Sequence, residues 1–134
     1  MKRIVIALLA VALAGCGSDA TGPSGGSVTG TWNLRSVNGT NLPYSFPPQQ
    51  GVTITVTGSV LTLSSDGAYN EIDSILLVGP GGAATTTHLE AGMWSATNGS
   101  ITFDDQTDGV VYQGSVTGNA LTEIVNGFAQ VYAR

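Results

Sequence analysis

Residues 28–134 predict an all-β fold, a small antiparallel up-and-down β-barrel of eight or nine strands. Three observations carry that expectation. Short apolar runs alternate with polar residues and are punctuated by Gly, Asn and Asp, the grammar of a β meander. No ten-residue segment beyond residue 27 has helical periodicity, so no crossover helices are available. The chain has one cysteine and so no internal disulfide, and closing the sheet is the economical way to remove exposed edges.

The elements follow in order. Residues 30–37 form the first strand, with Trp32 and Leu34 on one face and Asn33 and Arg35 on the other. Asn38-Gly39 is a turn. Leu42-Pro43-Tyr44-Ser45-Phe46-Pro47-Pro48 is too proline-rich for a central strand and reads as an ordered loop with three apolar side chains. Val52, Ile54 and Val56 alternate with threonines, Gly58-Ser59 turns the chain into residues 60–64, and Asp66-Gly67 turns it again. Residues 68–78 make a longer strand whose apolar phase slips between Tyr69 and Ile72, which suggests a bulge. Residues 79–87 read as a mobile loop. Further strands are expected at 88–95, 100–104, 110–117, 120–124 and 128–133, with turns at Asn98-Gly99, Asp108-Gly109, Gly118-Asn119 and Asn126-Gly127.

The amino terminus has a different character. Met1-Lys2-Arg3 is basic, and residues 4–14 form an 11-residue apolar run, about half the ~20 needed to span a bilayer. Basic start, apolar run and small residues make residues 1–15 a signal peptide. Leu13-Ala14-Gly15-Cys16 resembles the lipobox of bacterial lipoproteins. The resemblance implies cleavage after Gly15 and acylation of Cys16, with Gly17 in place of an inner-membrane retention signal, hence an outer-membrane destination. A thiolate suits the lipid transfer, and two or three acyl chains give lasting attachment where one does not. Residues 16–27 then form a Gly/Ser-rich tether.

Within the barrel, Gly30-Thr31-Trp32-x-Leu34-x-Ser36-Val37-Asn38-Gly39, followed by Leu42-Pro43, resembles the opening of the bacterial lipocalin-like domains. Asp66-Gly67-x-Tyr69 and Gly92-Met93-Trp94-Ser95 are similar to their internal hairpins. The paired cysteines and C-terminal helix of larger lipocalins are missing. The resemblance implies a closed barrel that binds a ligand rather than an enzyme.

Charge narrows the partners. After residue 15 only Arg35 and Arg134 stand against nine carboxylates, a formal charge of −7. A nucleic-acid binder needs clustered Lys and Arg, and so does electrostatic adhesion to anionic lipid; the expected membrane contact is the acyl group on Cys16. Sixteen threonines supply β-propensity without charge.

No catalytic residue, cofactor or metal site is expected. His88 is the one histidine and reads as a solvated surface residue beside a threonine-rich loop. Asp104-Asp105-Gln106-Thr107-Asp108-Gly109 echoes a calcium loop at its first, fifth and sixth positions, but Gln stands third and Ser115 twelfth, so it reads as a polar turn. Glu71 and Asp73 share a parity and are expected on a solvated outer face. The expected ligand-binding residues are apolar: Trp32, Leu34, Tyr69, Trp94, Phe103 and Tyr112 inside the barrel, with Leu42, Tyr44 and Phe46 as a lid over one mouth, flanked by residues 79–87. An eight-stranded barrel is wide enough either to be packed solid or to hold one small ligand. The expectation is a mostly filled interior with a shallow apolar pocket for a small hydrophobic ligand. The alternative is a filled module whose loops dock another envelope protein.

Overall fold

The computed structural model describes residues 28–134; the expected signal peptide, lipobox and tether lie outside the described residues. Ten strands follow in chain order: β1 (Gly30–Val37), β2 (Thr40–Asn41), β3 (Tyr44–Ser45), β4 (Thr53–Leu63), β5 (Ala68–Gly79), β6 (Gly82–Thr97), β7 (Ser100–Asp105), β8 (Val110–Thr117), β9 (Ala120–Val125) and β10 (Phe128–Ala133). Every pairing is antiparallel, and from β4 to β10 each strand pairs with the next. β1 closes the ring by pairing with β10 along Asn33–Val37 and with β4 along Gly30–Asn33. Eight strands thus form an up-and-down barrel, with β2 and β3 as short additions on β1 and β4.

The turns explain the tightness. Asn38, Asn98 and Asn126 sit at φ 48°, 52° and 50°, and each precedes a glycine at φ 77–82°. Two successive left-handed residues give the turn twist that matches paired strands.

Three expectations need correction. No turn occurs at Gly58-Ser59: β4 runs straight through, absorbing one extra residue as a bulge between Val56 and Gly58. The bulge expected in β5 is absent, since β5 pairs with β6 without interruption from Ala68 to Gly79. The apparent slip arises because Ile72 points outward, 45% exposed, while Glu71 takes the inner face. Residues 79–87 are not a loop: only the step from Gly79 to Gly82 turns, and the threonines extend β6. β4, β5 and β6 therefore outreach the other strands as an arm at one end of the barrel.

The opposite end is closed. Trp32 lies at the level of Leu61, its indole N–H donates to Val28 O at 2.9 Å, and the Arg134 guanidinium sits 4.2 Å above the ring. Arg134 also donates to Thr29 O at 2.9 Å. Arg134→Ala should cost about 1 kcal/mol, from lost cation–π attraction and packing, read as a lower urea midpoint with unchanged slope. Around Trp32 and beyond it the interior is filled by Leu61, Leu63, Tyr69, Ile101, Phe103, Leu121 and Tyr132, all buried.

Candidate functional site at the barrel mouth

The proline loop crosses from β1 to β4 over the mouth. Tyr44 pairs with Val56, Phe46 N–H donates to Ile54 O at 2.9 Å, and the Ser45 and Thr55 hydroxyls lie 2.8 Å apart. This pins the loop, so its rings are held in place. Tyr44 meets Phe46 edge to face at 5.1 Å, and Phe46 meets Phe128 of β10 the same way at 4.9 Å. Leu42, Val56 and Val125 pack beside them, half-buried.

The nine expected ligand residues divide among three levels. Leu42, Tyr44 and Phe46 come together at the mouth. Leu34, Tyr69, Phe103 and Tyr112 are packed against one another and their neighbours in the filled interior, with Phe103 edge to face on Tyr69 and stacked on Tyr112. Trp32 and Trp94 belong to the closed end, where the Trp94 indole N–H donates to Ser64 O at 3.0 Å.

Between the apolar floor and the aromatic lid lies a layer that the sequence reading put elsewhere. Glu71 is not on an outer face; it is 3% exposed and points inward, because its parity is that of Tyr69 and of buried packing. Its Oε1 accepts from Ser59 Oγ at 2.6 Å and from the Tyr132 hydroxyl. Burial, then Asp73, pushes its carboxyl up to about 7 against those two hydrogen bonds. Glu123 of β9 is fully buried, and neither carboxyl oxygen has a hydrogen-bond partner. Burial and the charges of Glu71, Glu90 and Asp73 hold it well above the ordinary carboxyl range. Glu90 is raised too, by burial first and then by Asp105 and Asp73. The Tyr112 hydroxyl lies 3.3 Å from that of Tyr69 and 3.5 Å from Glu90 Oε2, and burial raises both phenols.

His88 is a strand residue, as expected, and the threonines before it belong to the same strand. It pairs with Asp73 in register and so shares the inward parity of Glu90. Its Nδ1 lies 3.7 Å from Asp73 Oδ2 and 3.8 Å from Glu90 Oε1, with the side chain 43% exposed at the rim. The acidic turn after β7 faces it. Asp105 folds back on its own turn, accepting from Thr107 N–H at 2.8 Å and Asp108 N–H at 3.3 Å. Thr107 Oγ1 then clasps Ala91 of β6, accepting its N–H at 2.9 Å, and Gln106 N–H donates to Ala91 O at 3.1 Å. The turn is thus docked on β6 with Asp108 beside His88 and Glu90, where one donor atom from each lies within 4.8 Å of the others.

A groove of about 400 Å³ lies along the arm, lined by Thr57, Ser74, Ile75, Thr85, Thr86 and Thr87. Fold and site together define a class: a small closed up-and-down barrel with a packed floor, an acidic middle layer and an aromatic mouth. No protein-family model matches the chain, and no curated protein is significantly similar to it.

Proposed function

We propose that this chain is a lipid-anchored bacterial envelope lipoprotein, held by acylated Cys16 at the outer membrane, whose lipocalin-like barrel binds a small apolar ligand or segment without catalysis. The observation that carries the reading is the edge-to-face set of Tyr44, Phe46 and Phe128, pinned over the mouth with Leu42, Val56 and Val125 around it. Half-buried aromatic side chains on an anchored loop offer apolar area at little entropic cost to a ligand. Because the floor is filled, the ligand lies against the mouth rather than deep in the barrel.

The test is native mass spectrometry and probe fluorescence on the purified full chain. The expected result is uptake of a fatty-acid or polyaromatic probe, weakened about tenfold by Phe46→Ala, the loss of roughly 1.4 kcal/mol of contact. No uptake of any apolar probe would count against the reading.

A docking module is the second reading, and one observation favours it. Val60, Ile72 and Leu89 are paired in register across the outer faces of β4, β5 and β6, all exposed. A stoichiometric envelope partner lost on Ile72→Ser/Leu89→Ser would support docking through this face, and one lost on Tyr44→Ala/Phe46→Ala docking through the loops.

A further inference from the structure

We propose that His88, Glu90 and Asp108 form a binding site for a divalent transition-metal ion of the zinc type at the rim of the barrel. Each residue presents one donor atom, and these three atoms lie within 4.8 Å of one another, close enough that small side-chain rotations bring them to the roughly 3.5 Å separations of a tetrahedral zinc shell. The donor set is one imidazole nitrogen and two carboxylate oxygens, which suits zinc and its first-row neighbours better than magnesium or calcium, whose ligands are oxygens alone.

The site is built, not merely adjacent in space. His88 and Glu90 share one face of β6, so period two sets them side by side. Asp108 is brought from 18 residues away by a turn held at two points, the Asp105 carboxylate on backbone amides and the Thr107 hydroxyl on Ala91. Asp73 Oδ2 lies 3.7 Å from His88 Nδ1, beyond hydrogen-bond length but near enough for its charge to favour a cation at the imidazole. The Tyr112 hydroxyl donates to Glu90 Oε2 at 3.5 Å.

A second observation points to a cation. Behind the rim lies Glu123, fully buried with both oxygens unpartnered, and its charged neighbours are Glu71, Glu90 and Asp73. The arginines lie elsewhere: Arg134 stacks on Trp32 at the closed end, and Arg35 is exposed on β1. A divalent ion at the rim would add positive charge to that which His88 brings to Asp73 and Glu90. His88 and Asp108 are accessible enough for an ion to enter from solvent.

Isothermal titration calorimetry on the full chain in detergent, with zinc, calcium and magnesium chlorides at neutral pH, tests this directly. The expected result is one equivalent of zinc per chain, with calcium and magnesium at least tenfold weaker. His88→Ala and Asp108→Asn, both at exposed or half-exposed positions, should each weaken zinc at least tenfold while the far-ultraviolet spectrum stays unchanged. Absence of zinc binding overturns the proposal. So does zinc binding that survives both substitutions, or a preference for calcium that ignores His88→Ala.

Discussion

Lowering the pH from about 8 to about 5.5 should raise the thermal midpoint of this protein, on the order of 10 °C, against the usual acid-labile trend. The cause is the carboxyl layer inside the barrel. Glu71 faces Ser59 of β4, Asp73 on its own strand, Glu90 of β6, Glu123 of β9 and Tyr132 of β10. Its folded carboxyl titrates at about 7, above its ordinary value of 4.5. Between those values the folded chain holds a proton that the unfolded chain has released. Glu71 thus contributes most stability below pH 4.5 and loses it as pH rises through 7. For this carboxyl the difference is on the order of 3 kcal/mol. Glu90 and Glu123 are shifted in the same direction and add to the slope.

Glu123 isolates the effect, because it has no hydrogen bond to lose. Glu123→Leu keeps the side chain's volume and removes a buried carboxyl without partners. It should stabilise the barrel at pH 8 by about 2 kcal/mol and flatten the pH dependence. Glu71→Leu should gain less, since it strands the Ser59 and Tyr132 hydroxyls that now donate to it. Thermal unfolding of the three proteins at several pH values reads all of this. A midpoint that climbs with pH from 5.5 to 8, or a Glu123→Leu variant less stable than the parent at pH 8, would refute the account.

The same layer marks where the sequence stopped being legible. Strand positions and Asn-Gly turns could be read because period two and left-handed dipeptides are local properties. The clustering of Leu42, Tyr44 and Phe46 was legible because three prolines and three apolar side chains in seven residues make an ordered apolar segment. The inner carboxylates were misplaced because burying them runs against their solvation, so polarity argued for the outer face. The signal was present in parity alone: Tyr69, Glu71, Asp73 and Ile75 alternate on one face, as do Leu121, Glu123 and Val125. The meeting of His88 and Glu90 with Asp108 had no local signal at all. It depends on Thr107 clasping Ala91, a contact between the turn after β7 and the strand before it, 16 residues away.

Gly92→Ala should be the most damaging single-methyl addition in the barrel, costing at least about 3 kcal/mol or preventing folding. Gly92 lies between Tyr69 of β5 and Asp105 of β7, on the inner face. A Cβ there would stand 2.0 Å from the Asp104 carbonyl oxygen and 3.0 Å from Tyr69 Cε1. The obstructing atom is backbone, so relief requires β6 and β7 to separate and break the ladder that closes the cylinder. Gly114 meets the same obstacle on β8, with Thr122 O at 2.2 Å, and Gly114→Ala should fail comparably. Small barrels coil their strands sharply, and a glycine where two backbones approach lets the sheet bend inward. The Tyr69 ring fills the space that Gly92 leaves, so curvature and core packing are set at one position. Gly58→Ala is the control: nothing lies within 4 Å of its Cβ position, and the loss of unfolded-state freedom should leave it neutral or up to about 1 kcal/mol more stable. Urea unfolding of the three variants separates the causes. Gly92→Ala within about 1 kcal/mol of the parent would show that β6 and β7 can part at no great cost, and the curvature argument would fall.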